Sequence, residues 1–391
     1  MKRILFVDDV EILRDLYEIM LTKEHDQWEV KTASGGRAAL ELLKQSEFDA
    51  IATDMRMPGM DGIELLNEVR KLHPQISRII ISGISDQAEA ADALKCTHQF
   101  IHKPVDMKTL KATLARIGGL DAYLKDEKLK AIAGRLRVLP SFPLIYLEIM
   151  QAIESPDRPL HRINDLIIKD PGLMAKILQV ANSASIGSPV KIHDPGLAVQ
   201  QLGLNTVRSL ALSAQVFQSF TPSRMKNFSV DALWSHLMKC ANSARAIMQA
   251  EDADAADVEA AFTAGMLHDI GKLMLADSLP GEFQNALSLA ATNHVPLQEV
   301  EREVFGTTHA ELAAYLLGLW GLPATMVEAV AFHHAPERSA HRQFSPLTAV
   351  HVANALEHEA AGETSCLNHD YLAKIGMENR LDSWRKTIPS L

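Results

Sequence analysis

Residues 50–62 read AIATDMRMPGMDG, from Ala50 to Gly62, and the reading of this stretch decides the fold. Ala50-Ile51-Ala52-Thr53 is a run of small and apolar residues that leads into Asp54, and Met55-Arg56-Met57-Pro58-Gly59 then breaks the strand. A parallel strand buried on both faces has this composition, and ligands collect at the carboxyl ends of such strands. Asp8 and Asp9 end an equivalent run, Ile4-Leu5-Phe6-Val7. Carboxylates at neighbouring strand ends repel one another unless a hard cation sits among them. Mg2+ is such a cation, and it takes a few oxygens together with phosphate.

Outward from this stretch, short apolar runs alternate with amphipathic segments over residues 1–118. Candidate strands are 4–7, 29–33, 50–53, 78–82 and 99–102. Between them Ile12/Leu16/Ile19/Met20, Ala39/Leu42/Leu43 and Leu65/Leu66/Val69 recur at helical spacing. The alternation predicts an α/β, flavodoxin-like domain with a five-stranded parallel sheet and its site at the switch point between the first and third strands.

Three further features join the acidic trio: Ser82 after Ile79-Ile80-Ile81, Phe100 after Gln99, and Lys103-Pro104 after Ile101-His102. Together they resemble the receiver domain of two-component response regulators. A lone aspartate after a strand is usually a turn residue or a helix cap, and the joint spacing is what separates this chain from that case. The resemblance implies that Asp54 accepts a phosphoryl group from a sensor histidine kinase or phosphotransfer protein. It implies that Asp8 and Asp9 hold Mg2+, with the Met55 or Arg56 carbonyl, and that Lys103 neutralises a phosphoryl oxygen. Ser82 would donate its hydroxyl to the new group, Phe100 would swing inward behind it, and a cis Lys103-Pro104 bond would aim the ammonium.

The 391 residues suffice for two or three domains of about 100–200 residues, and 47% apolar with 23% charged residues describes a soluble globular protein. With 39 basic against 49 acidic residues the net charge is −10, so nothing marks a nucleic-acid surface. Cys96, Cys240 and Cys366 lie far apart without a CxxC pair, which fits a reducing cytoplasm. No apolar run approaches the roughly 18 residues of a membrane span. The expectation is a cytoplasmic protein with no membrane and no nucleic-acid partner.

Gly118-Gly119 disfavours a continuous helix, and Leu129, Ile132, Ala133 and Leu136 then line one side of an amphipathic connector over 119–138. It could relay receiver motion or pack a partner in a homodimer. From Leu139 the pattern changes to long amphipathic helices with Pro and Gly breaks, which predicts an all-α domain over 139–391 that includes a C-terminal helical extension. Asp170-Pro171 reads as a helix cap and first turn.

Several of these segments, with WSH at 234–236, GMLHDIGKLML at 265–275, GTTHAELAAYLLGLWGLP at 306–323 and FHHAPE at 332–337, resemble the HDOD domain. That domain is a relative of the HD-type metal-dependent phosphohydrolases, including the HD-GYP cyclic-dinucleotide phosphodiesterases. The resemblance implies a metal site at His236, His268, Asp269, His309, His333 and His334, with His268-Asp269 placed in a helix and the aspartate shared between two ions. The final aspartate of the family pattern is replaced by Asn354, which brings no charge. His351, one turn before Asn354, is either a substitute ligand or a packed, hydrogen-bonded histidine. Lys272 matches a phosphate-facing lysine of the hydrolases.

Two functions follow from these resemblances. In the first, a response regulator phosphorylated on Asp54 uses its HDOD domain as a signalling and protein-interaction module. In the second, the output is a metal-dependent phosphohydrolase acting on a nucleotide or phosphodiester. Asn354 and the absence of a GYP loop after His333-His334 favour the first. One acidic ligand among five histidines predicts at most weak binding of a transition metal such as Fe, Mn or Zn.

Overall fold

The computed structural model describes residues 2–22, 28–73, 75–83, 93, 96–103, 105, 110–111, 114, 129, 132–133, 135–136, 143–155, 160–182, 192–220, 225, 228–363 and 366–388. They form two compact units, one of residues 1–142 with 315–322, the other of 143–314 with 323–391.

In the first unit five parallel strands, β1 (Lys2–Val7), β2 (Trp28–Ala33), β3 (Ala50–Asp54), β4 (Ser77–Ser82) and β5 (Gln99–His102), order as β2-β1-β3-β4-β5. The order reverses between β1 and β3, which opens a crevice at their carboxyl ends. β1 and β3 run in register from Ile4↔Ala50 to Val7↔Thr53, so Asp8 and Asp54 leave the sheet side by side. One face of the sheet buries Leu5, Val7, Ile51 and Ile80 against Leu65, Leu66 and Val69. The other buries Ile4, Phe6, Ala52, Ile79 and Ile81 with Tyr17 and Leu110.

Three helices of this unit lie among the described residues: α1 (Glu11–Thr22), α2 (Gly36–Gln45) and α3 (Gly62–Leu72). α3 starts in a capping box, in which Asp61 accepts from the Glu64 N–H and the Glu64 carboxylate from the Asp61 N–H. The helix expected from the spacing of Ile12, Leu16 and Ile19 forms as α1, but a different apolar row packs on the sheet. Ile12, Leu16 and Ile19 are 77%, 41% and 55% exposed, while Tyr17 and Leu21 are buried and Leu13 packs beside them. Both rows are apolar, and periodicity alone does not choose between them. The Phe100 side chain, Pro104, Gly118-Gly119 and most of the 119–138 connector lie outside the described residues.

The second unit is helical. Among the described residues, five helices between Leu144 and Ser219 precede the site, and Asp170 caps the one that begins at Pro171 by accepting from the Leu173 N–H. The helices that build the site are α4 (Val230–Ala250), α5 (Ala255–Leu267), α6 (Ile270–Ser278), α7 (Leu297–Phe305), α8 (His309–Leu319), α9 (Ala324–Phe332) and α10 (Pro346–Ala360). α4 packs along both α5 and α10, and α9 packs on α5 and α10. The C-terminal helices are pinned from within, since buried Trp384 donates its indole N–H to Glu251 at 2.7 Å. No helix among the described residues is long and apolar enough to cross a membrane.

Candidate functional site

At the carboxyl edge of the sheet, ligand oxygens of Asp8, Asp9 and Asp54 all lie within 4.8 Å of one another. Asp8 is 2% exposed, and its Oδ1 accepts from the Val10 N–H at 2.9 Å. Burial pushes its carboxyl up from the ordinary value, against that N–H and Lys103, which pull it down. Lys103 follows β5 and brings its Nζ to 2.8 Å from Asp54 Oδ1 and 3.6 Å from Asp8 Oδ2. Its backbone N–H is anchored on the Ser82 carbonyl at 2.8 Å, so the end of β4 holds the lysine in place. Buried Ser82 lies one residue past Ile81, the register partner of Asp54. Three carboxylates and an ammonium in this arrangement can bind a hard dication and stabilise added phosphoryl charge.

Gly62 controls the shape of this edge. A Cβ there would lie 2.2 Å from the Asp54 carbonyl oxygen and 3.0 Å from Met55 Cα, both backbone atoms that cannot rotate away. Gly62→Ala is therefore expected to displace Asp54 and, if this aspartate is the phosphoryl acceptor that the resemblance implies, to slow its labelling by on the order of 100-fold, the size of effect a misplacement of about 1 Å produces. Initial rates with a small phosphodonor, compared with Gly35→Ala, where a Cβ meets nothing within 4 Å, check this. Equal rates would remove the role given to Gly62.

The second cluster lies where helices end. His268 and Asp269 are not inside a helix, as their sequence context suggests. They form the break between α5 and α6, with His268 capping the end of one and Asp269 the start of the next. His309 opens α8, and His333-His334 follow the last turn of α9. His236 comes from within α4. Ligand atoms of Asp269, His309, His333 and His334 lie within 4.8 Å of one another, and so, separately, do those of His236, Cys240 and His268. Asp269 faces both groups. Its Oδ1 is 2.9 Å from His309 Nε2 and 3.7 Å from His333 Nε2, while its Oδ2 is 3.6 Å from His236 Nε2 and 3.7 Å from His268 Nε2.

Backbone carbonyls set the rings. His268 Nδ1–H donates to Gly265 and His333 Nδ1–H to Val330, each at 2.8 Å, which leaves both Nε2 atoms buried and without a hydrogen-bond partner. Burial lowers the pKa of His236 and His268 to about 3 and of His333 to about 4, and moves His334 the same way. Burial thus favours the neutral imidazole that a metal requires, and at His268 and His333 the Nε2 lone pair has no hydrogen-bond partner. The donor set therefore fits a transition ion. His351 is the packed histidine, since its Nδ1–H donates to the His333 carbonyl at 2.7 Å and its Nε2 accepts from the Asn368 N–H at 3.0 Å.

Two further residues singled out in the sequence lie at this cluster. Lys272 reaches Asp269 Oδ2 at 2.5 Å in a buried ion pair. Burial opposes the Asp269 charge, but Lys272, His268 and His309 hold its pKa well below the ordinary value. Asn354, 2% exposed on α10, places its Oδ1 3.9 Å from Cys240 Sγ.

Sequence reasoning overlooked Glu301 and Cys240. Fully buried Glu301 accepts from His309 Nδ1–H at 2.6 Å and from the His309 backbone N–H at 2.9 Å, which orients that ring. Burial works to lower the His309 pKa, but Glu301 and Asp269 outweigh it and raise it. Glu301 was legible in principle, because it falls between Leu297 and Phe305 at four-residue spacing on the core-facing row of α7. Cys240 was too, four residues after His236 on the same helix face.

A family model described as the HDOD domain matches residues 139–336, half of the chain. The chain belongs to the HDOD family. The model of the response regulator receiver domain matches residues 4–115. The chain thus joins a receiver domain to an HDOD domain. An uncharacterized protein of Treponema pallidum is 29% identical over 242 residues, which cover 60% of this chain and 45% of that protein. The chain thus spans less than half the length of that relative. The chemotaxis protein CheY of Thermotoga maritima is 32% identical over 118 residues, 30% of this chain and 97% of CheY. An HDOD domain protein of unknown function from Geobacter sulfurreducens has the same helical fold, with a TM-score of 0.56, 21% identity, and coverage of 69% of this chain and 96% of that one.

Proposed function

We propose that Asp54 is the single phosphoryl acceptor of this HDOD response regulator. Receiver domains take their phosphoryl group from histidine kinases or phosphotransfer proteins and use Mg2+. Here Asp8, Asp9 and Asp54 would hold the ion, which supplies charge neutralisation at the transferred phosphoryl group. The observation that carries the reading is the Lys103 ammonium at 2.8 Å from Asp54 Oδ1, beside two further carboxylates. In this reading Lys103 neutralises a phosphoryl oxygen and Ser82 donates to one. The exposed Ile12, Leu16 and Ile19 row of α1 offers an apolar face to the phosphodonor protein. The receiver spans 1–118, the connector 119–138, and the HDOD domain with its extension 139–391. That domain acts as a signalling module whose partner contacts change with the receiver's state.

Incubation with acetyl phosphate and Mg2+ should add one phosphoryl group per chain, visible by intact-mass measurement, and Asp54→Asn should abolish it. Equal labelling of the variant would reassign the acceptor.

The HDOD cluster is a centre for a transition ion such as Fe, Mn or Zn, held by Asp269 with His236, His268, His309, His333 and His334. A bound ion would act as a Lewis acid or as an organiser of the helix ends. The two-sided placement of Asp269 favours a second reading, a phosphohydrolase. Against it stand the neutral Asn354 and the Lys272 ammonium on Asp269. Assays of wild type and Asn354→Asp with Mn2+, Fe2+ and Zn2+ on cyclic dinucleotides separate the two. No turnover is expected from the wild type, whereas turnover that Asp269→Ala abolishes would establish the enzyme.

A further inference from the structure

We propose that Cys240 is a metal ligand, which with His236 and His268 makes a nitrogen–sulfur subsite for a borderline dication such as Zn2+. This rests on the metal-centre reading above and adds to it a donor and a class of ion. Cys240 is fully buried on α4, one helical turn after His236, and its Sγ lies 3.6 Å from His236 Nε2. Tetrahedral bonds of about 2.0 Å to nitrogen and about 2.3 Å to sulfur place those two atoms about 3.5 Å apart, so the pair already has ligand spacing. The only hydrogen bond drawn to Cys240 besides its two contacts with His236 is the long one to Asn354 Oδ1 at 3.9 Å, among the described residues.

His268 supplies an independent pointer to a ligand. The residue is fully buried, its Nδ1 is committed to the Gly265 carbonyl, and its Nε2 has no hydrogen-bond partner. A buried lone pair without a donor is costly, and a cation would satisfy it. Ligand atoms of His236, Cys240 and His268 lie within 4.8 Å of one another, and Asp269 Oδ2 stands 3.6 Å from His236 Nε2.

Cys240 also supplies charge. Asn354 leaves the family's last carboxylate position neutral, and Lys272 already pairs with Asp269. When the sulfur–metal bond forms, the thiol proton leaves to solvent, and the thiolate gives the 2+ ion a negative donor of its own. A thiolate with imidazoles selects Zn2+ over Mg2+ or Mn2+. The other side of Asp269, with His309, His333 and His334, offers only nitrogen and oxygen.

Cobalt reports a thiolate ligand directly, through a sulfur-to-metal charge-transfer band in the near ultraviolet. Chelator-stripped full-length protein is titrated with Co2+, with bound metal measured by equilibrium dialysis. The band is expected in wild type, in full in a Cys96→Ser/Cys366→Ser variant whose one thiol is Cys240, and not in Cys240→Ser. Co2+ bound without the band, or a band lost in the double variant, would overturn the role of Cys240 and leave the histidine–aspartate centre standing. No bound Co2+ at all would overturn the metal-centre reading itself. The double variant keeps Cys240 in place, so the test does not depend on Cys240→Ser folding.

Discussion

Gly271→Ala is expected to destabilise the protein by about 3 kcal/mol, the upper end of ordinary overpacking. A Cβ at 271 would lie 2.0 Å from the His309 carbonyl oxygen, 2.6 Å from its carbon and 2.8 Å from its Cα. All three are backbone, so the start of α8 must move by roughly 1 Å or more to regain van der Waals separation. That movement carries His309 away from Asp269 and Glu301. The reason for glycine directly after Asp269-Ile270 is thus close approach of one helix start to another. Urea denaturation of metal-free protein measures the effect, with Gly281→Ala as the reference. Gly281 lies in the helix Pro280–Asn293 with nothing within 4 Å of an added Cβ. There alanine should be neutral or stabilising by up to about 1 kcal/mol. If both variants matched wild type, the close approach would carry no energetic weight.

The second large effect is acid lability of the helical domain. Burial lowers the pKa of His236 and His268 to about 3 and of His333 and His351 to about 4, and shifts His334 in the same direction from 6.5. The unfolded chain protonates each ring near 6.5, while the native metal-free domain does so only far lower. Between these limits the unfolded state binds more protons, so stability falls as pH falls. Each such group contributes about 1.4 kcal/mol per pH unit below its unfolded pKa. His309 opposes the trend, because its raised pKa gives stability that is present below 6.5 and lost as pH rises through the folded value. Below 6.5 the His309 contribution is constant, so the five lowered rings together cost about 10 kcal/mol by pH 5, enough to unfold a domain in the lower half of the ordinary range of about 5–15 kcal/mol. Calorimetric Tm values of metal-free protein from pH 7 to 4.5 check this, and a flat profile would mean that these rings already carry protons in the fold.

Much of the receiver was legible because its signals are local. All five strands begin and end within two residues of their expected positions, since a buried parallel strand is a continuous apolar run and shows in any window. Asp8, Asp9, Asp54 and Lys103 converge because each directly follows such a run, and parallel register carries strand ends to one edge. The face of α1 was not legible. Leu13, Tyr17 and Leu21 compete with Ile12, Leu16 and Ile19 on equal hydrophobicity, and only packing against β1 and β2 chooses.

In the helical domain the residue types were legible and their relations were not. The resemblance to the HD-type hydrolases implied that His236, His268, Asp269, His309, His333 and His334 belong to one metal site, and that Asn354 stands where the family pattern carries a charge. Only the tertiary structure decided that Asp269 turns one oxygen to each histidine group, and that Lys272 pairs with Asp269 instead of facing solvent. It also decided that Glu301 holds His309 from behind and that Cys240 joins His236. The physical reason is range. Helical period and strand burial are set by neighbours a few residues apart. The direction of a ring nitrogen or a carboxylate oxygen is set instead by which helix ends meet, across tens to more than a hundred residues of chain.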